Sequence, residues 1–257
     1  MELEVCGVIN IQFAVKDEEV YILEVNPRAS RTIPFVSKSI GVPLAKLAAK
    51  IMVGKTLEEL GLTEQVRQDY FTVKEAVFPF VKFPGVDVIL GPEMLSTGEV
   101  MGISSDYGIA YAKSQLAAGA QLPTAGTVLF SVRDADKARA VELARQFHKM
   151  GFKILATKGT CIAFIENNIP SEFVLKVKEG RPNIVDRIIN GQVDLIINTT
   201  VGKQAIVDSF SIRRTALDKN VPYVTTIRGA RAVTQAIHAL QREIPGVQAI
   251  QSYYQTA

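Results

Sequence analysis

Residues 21–31, YILEVNPRASR, place a carboxylate (Glu24), a carboxamide (Asn26) and two arginines (Arg28 and Arg31) at and just beyond the end of an apolar run. Side chains two apart on a strand project from the same face, so Glu24 and Asn26 present their oxygens together. Hard oxygen donors of this kind suit Mg²⁺, which keeps waters and phosphate oxygens in its remaining positions. Arginines close by suit the phosphates themselves. These residue types point to a magnesium–nucleotide site. The same alternation also fits a half-exposed hairpin whose polar side faces water, and periodicity alone leaves both readings open.

The preceding segment supplies a partner strand. Gly7 to Val15 alternates, with Ile9, Ile11 and Phe13 on one face and Asn10, Gln12 and Ala14 on the other. A hairpin with Asp17-Glu18-Glu19 as a three-residue loop pairs Lys16 with Val20. That register sets Gln12 opposite Glu24 and Asn10 opposite Asn26, which puts four oxygen donors on one patch.

A second set of polar residues belongs to a different pattern. From Thr127 onward the chain reads strand, helix, strand, helix, with strands expected at Thr127–Val132, Phe152–Ala156, Val193–Ile197 and Val221–Thr225. A helix over Asp134–Met150, capped by Asp134 and closed by Gly151, follows the first strand, and a final helix runs from about Arg228 to Arg242. Such alternation predicts a parallel sheet with helices on both faces. Ligands bind beyond the carboxyl ends of the strands in that architecture. There the turn Thr157-Lys158-Gly159-Thr160 offers hydroxyls, backbone N–H groups and a helix N-terminus as an anion cradle. Asn198-Thr199-Thr200 ends the third strand similarly, and Lys137 and Lys176 add positive charge. Singly, each cluster is also an ordinary cap or turn. Together, at equivalent strand ends, they favour a small phosphorylated ligand.

The elements between these two regions are less regular. A helix begins around Pro43 and stops at Gly54, and Thr56 with Glu59 forms a capping-box pattern for a short helix ended by Gly61. Phe78 to Gly98 is broken by Pro79, Pro84 and Pro92 and is expected to be irregular. A helix from about Asp106 to Ala118 ends at Gly119, and AGAQLPTAG reads as an interdomain connection. The expected domains are therefore 1–118 and 119–257.

The 257 residues are 47% hydrophobic and 21% charged, an ordinary globular balance. A formal charge of +3 argues for neither nucleic acid nor a membrane surface. No apolar run approaches a membrane span, and Met-Glu-Leu-Glu does not open a signal peptide, so a cytoplasmic location is expected. Cys6 and Cys161 lack disulfide or zinc spacing and read as free thiols. His148 and His238 lie within helical patterns without an acid or nucleophile partner, and the basic run Lys149 to Lys158 reads as solvated edge charge.

The segment GVINIQFAVKDEEVYILEVNPRASRTIPFVSKSIGVPLAKLAAKIMVGK resembles the end of the second ATP-grasp unit of the carbamoyl phosphate synthase large chain. The resemblance continues through VKEAVFPFVKFPGVD and LGPEMLSTGEVMG and through the remainder of the chain. It implies an α/β fold class: a C-terminal doubly wound parallel sheet, methylglyoxal-synthase-like, preceded by the C-terminal part of an ATP-grasp α+β domain. It also implies a ligase that phosphorylates carbamate with ATP, using Mg²⁺ or Mn²⁺. By the resemblance Gln12, Glu24 and Asn26 match metal-binding positions, Gln12 and Glu24 also bind ATP, and Arg28 and Arg31 lie in the catalytic phosphate region. Lys137, Thr157, Thr160, Lys176, Asn198 and Thr200 match positions for the allosteric nucleotides UMP and IMP. Glu75, Tyr223 and Thr225 match positions for the activator ornithine. The implied partners are a glutaminase small chain and the rest of the large chain, in an oligomer feeding arginine and pyrimidine synthesis.

Two other readings stay open. One is a stand-alone regulatory nucleotide-binding module. The other, ranked last, is methylglyoxal synthase, whose Gly-Gly-Asp base motif is replaced here by Asn198-Thr199-Thr200-Val201-Gly202. The lysines and glycine-rich loop with which an ATP-grasp site covers the phosphates are not in these residues, so the isolated chain is expected to be inactive.

Overall fold

The computed structural model describes residues 3–78, 80, 98–199 and 209–254. Thr200 and most of the proline-broken stretch after Phe78 lie outside the described residues. The chain forms two compact units, Met1–Phe71 with Gly246–Ala257, and Thr72–Pro245.

The first unit opens with strands β1 (Asn10–Lys16) and β2 (Glu19–Asn26), paired antiparallel. Asp17 and Glu18 both adopt positive φ, 51° and 67°, so the loop has two residues and Lys16 pairs with Glu19, not Val20. A bulge between Gln12 and Phe13 then shifts the register by one. The two departures cancel, and Gln12 lies opposite Glu24 and Asn10 opposite Asn26 as expected. Nearer the turn, Phe13 pairs with Ile22 and Val15 with Val20. These four side chains are 53–70% exposed, an apolar patch of the kind that marks a contact surface.

Helix α1 (Thr32–Ile40) comes before the helix expected at Pro43 and carries Pro34 in its first turn. In the first turn of a helix a proline removes an N–H that has no partner anyway. Gly41 ends α1 in the left-handed region at φ 72°. Helix α2 (Leu44–Met52) follows Pro43 as expected. Thr56 and Glu59 make both capping-box bonds, at 3.0 and 3.2 Å, but only a turn forms there.

In the second unit β3 (Phe71–Val77) and β4 (Gly98–Ser104) form a two-stranded sheet. Helix α3 (Tyr107–Ala117) starts at Asp106, whose carboxylate accepts from Ile109 N at 2.9 Å. A Cβ on Gly102 of β4 would lie 1.8 Å from the Ala110 carbonyl oxygen and 2.6 Å from Ser114 N. Backbone cannot yield as a side-chain tip can. Gly102→Ala is therefore expected to destabilise this unit by about 3 kcal/mol or more, at the upper end of overpacking effects. Chemical denaturation of the purified variant measures this directly.

The rest of the second unit alternates strand and helix, with β7 and α6 added to the expected elements: β5 (Thr127–Val132), α4 (Lys137–Lys149), β6 (Lys153–Thr157), α5 (Lys158–Glu166), β7 (Glu172–Val174), α6 (Ile184–Ile189), β8 (Leu195–Thr199), α7 (Phe210–Asp218), β9 (Tyr223–Val224) and α8 (Ile227–Arg242). The five strands are parallel in the order β7-β6-β5-β8-β9. One core lies between the sheet and α4, α5 and α8, around Phe130, Phe147 and Phe164. The other lies beneath α6 and α7, around Leu129, Ile188, Ile196 and Ile212. Helix α3 packs on α8, where Gly108 approaches Gln235 O and Ala239. The expected boundary at 118/119 thus falls inside the second unit.

Asp134 does not cap α4 as expected. It sits in a 3₁₀ turn and pairs with Lys137 at 2.8 Å. Thr157-Lys158-Gly159-Thr160 is not a turn either, since Thr157 ends β6 and α5 starts at Lys158. A short helix, α9 (Ile250–Tyr253), returns the chain to the first unit. Among the described residues no helix is long and apolar enough to cross a membrane.

Candidate functional site

The parallel register aligns polar residues at the carboxyl ends of three neighbouring strands. Ser131 on β5 is paired with Asn198 on β8, and Thr157 on β6 donates to Ser131 Oγ at 3.5 Å. Thr160, on the first turn of α5, accepts from Val132 N at 3.4 Å and lies 3.5 Å from Thr157 Oγ1. Thr157, Thr160 and Asn198 are all buried. Ser131 was missed in sequence because one serine in an apolar strand carries no signal until its neighbours are known.

Two lysines border this cleft. Lys137 Nζ sits 3.0 Å from where a Cβ on Gly159 would stand, so the glycine leaves room for the ammonium beside the start of α5. Its hydrogen bond and charge hold the Asp134 carboxyl below the usual range, with Lys176 contributing at longer reach. Lys176 follows Val174, which pairs with Thr157. Five of the six expected residues thus converge on one end of the sheet; Thr200 lies outside the described residues.

Asn198 is 1% exposed, and neither its Oδ1 nor its Nδ2 has a hydrogen-bond partner among the described residues. Leaving a buried polar group unpaired costs about 1–3 kcal/mol. A carboxamide in this state, at a strand end with buried hydroxyls and a helix N-terminus, has the chemistry to meet an anionic ligand. The neighbouring buried carboxylate, Asp136, is held low by its bond from Arg133, at 2.6 Å, and by Thr199. A carboxylate so stabilised in its ionised form is a poor proton acceptor.

On the first-unit hairpin, Gln12, Glu24 and Asn26 share one patch, with Asn26 Nδ2 donating to Glu24 Oε1 at 2.5 Å. Glu24 is its one carboxylate, and among the described residues no group of three or more His, Cys, Asp or Glu could hold a metal. The donor set fits a hard cation that takes most of its ligands from phosphates and water. Arg28 and Arg31 lie between β2 and α1, both exposed, with Arg28 Nη1 donating to Ala29 O at 3.1 Å.

The expected ornithine residues lie on different elements. Glu75 on β3 accepts from Gln115 Nε2 of α3 at 2.9 Å. Burial raises the Glu75 carboxyl above its usual range, and the Tyr111 hydroxyl is pushed up to about 12 by burial and then by Glu75 and Tyr107. Tyr223 lies on β9 and Thr225 just beyond it, exposed. The bond that engages Glu75 runs to α3.

The five-stranded parallel sheet with helices on both faces belongs to an MGS-like domain, the description of the family model that residues 139–225 match. Residues 1–60 match the model "Carbamoyl-phosphate synthase L chain, ATP binding domain". The carbamoyl phosphate synthase large chain of Archaeoglobus fulgidus is 55% identical over 256 residues, which cover 99% of this chain and 24% of that one. Its counterpart from Myxococcus xanthus is 55% identical over 252 residues, 98% of this chain and 23% of that one. The chain belongs to the carbamoyl phosphate synthase large-chain family and corresponds to its C-terminal portion. It spans about a quarter of the length of these curated relatives. The crystal structure of methylglyoxal synthase from Elizabethkingia anophelis is 16% identical, with a TM-score of 0.36 over 44% of this chain and 79% of that one.

Proposed function

We propose that this chain contributes part of the carbamate-phosphorylating ATP site and the nucleotide-responsive unit of a carbamoyl phosphate synthase. The observation that carries the regulatory half is the orphaned carboxamide of Asn198, buried beside Thr157 and Thr160 and within the cleft bordered by Lys137 and Lys176. Thr200 completes the set on the sequence pattern. The ligand is a nucleoside monophosphate, UMP or IMP, whose phosphate takes the hydroxyls, the α5 N–H groups and the ammonium groups.

In the first unit Gln12, Glu24 and Asn26 would hold Mg²⁺ or Mn²⁺, which neutralises phosphate charge on ATP. Gln12 and Glu24 also orient the nucleotide, and Arg28 and Arg31 meet its phosphates and the developing charge. Both guanidinium groups lie on the exposed stretch that leads out of β2. The exposed apolar side of the hairpin, Phe13, Val15, Val20 and Ile22, supports packing against the remainder of a large chain. A glutaminase small chain, an oligomeric assembly and a cytoplasmic setting accompany this reading. Ornithine fits Glu75, Tyr223 and Thr225, because an ammonium group would favour the carboxylate that burial now disfavours. Methylglyoxal synthase chemistry stays last, since its Gly-Gly-Asp base motif is replaced here by Asn198-Thr199-Thr200-Val201-Gly202, and the buried carboxylate Asp136 is committed to Arg133.

The 257-residue chain by itself is expected to make no carbamoyl phosphate from ATP, bicarbonate and ammonia with Mg²⁺ present. Phosphoryl transfer depends on positioning and charge neutralisation from several sides, and one exposed hairpin patch supplies only one side. Turnover by the purified chain, measured as ATP-dependent carbamoyl phosphate formation, would refute this. Calorimetric titration of the same chain with UMP and with IMP tests the regulatory half.

A further inference from the structure

Helices α4 and α8 pack against each other on one face of the parallel sheet, and a groove of about 580 Å³ lies between them. Three arginines line it, Arg139 from α4 with Arg228 and Arg231 from α8. All three are exposed, and among the described residues none makes a hydrogen bond or an ion pair. Glu142 is the one carboxylate in the lining, and Arg145 holds it from within α4 at 3.0 Å. The amides of Gln146 and Gln235 add neutral donors.

These charges work against the helices that carry them. Positive charge is disfavoured beside a helix N-terminus, where the backbone dipoles are themselves positive. Arg139 and Arg228 nevertheless stand in the first turns of α4 and α8, Arg231 follows one turn further on, and neither first turn holds an acidic residue. The carboxylates just ahead of α4 are engaged elsewhere, Asp134 by Lys137 at 2.8 Å and Asp136 by Arg133 at 2.6 Å. Arg139 is the last and smallest of the influences that lower the Asp136 carboxyl. Three guanidinium groups therefore repel one another across a groove that offers them no free carboxylate among the described residues.

The groove is separate from the strand-end cleft. Lys137 Nζ approaches Gly159 of α5. Two residues later a helix has turned by about 200°, which carries Arg139 round to the side that faces α8. None of Lys137, Thr157, Thr160, Lys176 or Asn198 lines the groove.

We propose that this groove is a second anion site and takes an oligophosphate, a short row of linked phosphates either free or carried by a nucleoside. Guanidinium forks match phosphate oxygens two at a time, and three of them on two adjacent helices suit a row of phosphates better than a single one. The volume falls in the range of small-molecule sites. The site stands independently of the nucleotide reading of the strand-end cleft.

Tripolyphosphate and orthophosphate are titrated into the 257-residue chain while backbone amide shifts are followed by NMR. Tripolyphosphate should saturably shift the amides of Arg139, Arg228 and Arg231, and orthophosphate should bind at least about tenfold more weakly. Arg139→Gln, Arg228→Gln and Arg231→Gln each remove one charged donor and should each weaken tripolyphosphate binding about tenfold. Glu142→Gln removes the groove's negative charge and should tighten binding about twofold to fivefold. Arg214→Gln makes the same charge change on α7, where Arg214 pairs with Asp218 at 3.1 Å, and should stay within about twofold of the parent. ATP that shifts the same amides and binds more tightly than tripolyphosphate assigns the ligand to nucleotides, whereas equal or weaker binding assigns it to the phosphate chain alone. Shifts confined to Lys158, Gly159 and Thr160 would place the phosphates in the strand-end cleft and overturn the groove. Parental affinity in all three groove variants, or an equal loss in Arg214→Gln, would overturn it as well. So would a poly-glutamate peptide that shifts these amides when tripolyphosphate does not, because the groove would then be a protein contact.

Discussion

Glu24→Gln in a complete synthase carrying this segment is expected to cut carbamoyl phosphate formation by at least about 100-fold, or about 2.7 kcal/mol at 1.36 kcal/mol per decade. The substitution keeps side-chain shape and an acceptor oxygen for Asn26 Nδ2, which now bonds Glu24 Oε1 at 2.5 Å. It removes the one carboxylate from a patch whose other donors, Gln12, Asn26 and Asn10, are neutral. A cation held through so few charges loses most of its attraction when that charge goes, and several kcal/mol of transition-state stabilisation depend on the cation. Bicarbonate activation at the other ATP site should persist in reduced form, measurable as bicarbonate-dependent ATP hydrolysis. Glu19→Gln is the control, because that carboxylate lies on the same strand but is occupied by the Tyr21 hydroxyl at 2.5 Å, away from the patch. Near-normal carbamoyl phosphate synthesis by Glu24→Gln would make Glu24 a polar strand residue and nothing more.

Lys176→Ala is expected to weaken binding of UMP or IMP by about 1.5–3 kcal/mol, the range for hydrogen bonds to charged groups, or roughly 10- to 150-fold in Kd. The hydroxyls and helix N–H groups at the strand ends remain, so binding should weaken without vanishing. The loss should shrink as ionic strength rises, since a partly exposed charge is screened. Site coupling is reciprocal, so in a complete synthase the same change should blunt nucleotide control more than it alters the basal rate. Titration of the 257-residue chain is the direct measurement. If the variant binds as tightly as the parent, Lys176 is no part of the pocket.

Local chemistry was legible wherever a residue's behaviour depends on near neighbours. The four strands expected after Thr127, the helices that follow the first and last of them and the closing glycines at 119 and 151 follow from period and φ preference, and formed within a few residues of where they were expected. The register of Gln12 with Glu24 came out right for a compensated reason, a shorter loop offset by a bulge. Helix α1 lay outside the expected elements, and its proline, which would break a helix interior, is harmless in a first turn. Asp134 misled in the other direction. An acidic residue before a helix reads as a cap, but Lys137 three residues on made a better partner.

By itself the sequence determined the alternation that makes a parallel sheet, the oxygen-donor patch on the hairpin and the family whose motifs it carries. These depend on residue type and spacing, which are local quantities. Tertiary structure alone decided that Ser131 joins Thr157 and Asn198 across three strands, that Gly159 admits Lys137, and that Asn198 is left without a partner among the described residues. It also decided that Tyr254 donates to the carbonyl of Lys38 in α1, 216 residues away. No periodicity encodes such pairings, because they are set by which surfaces exclude water together once every element has formed.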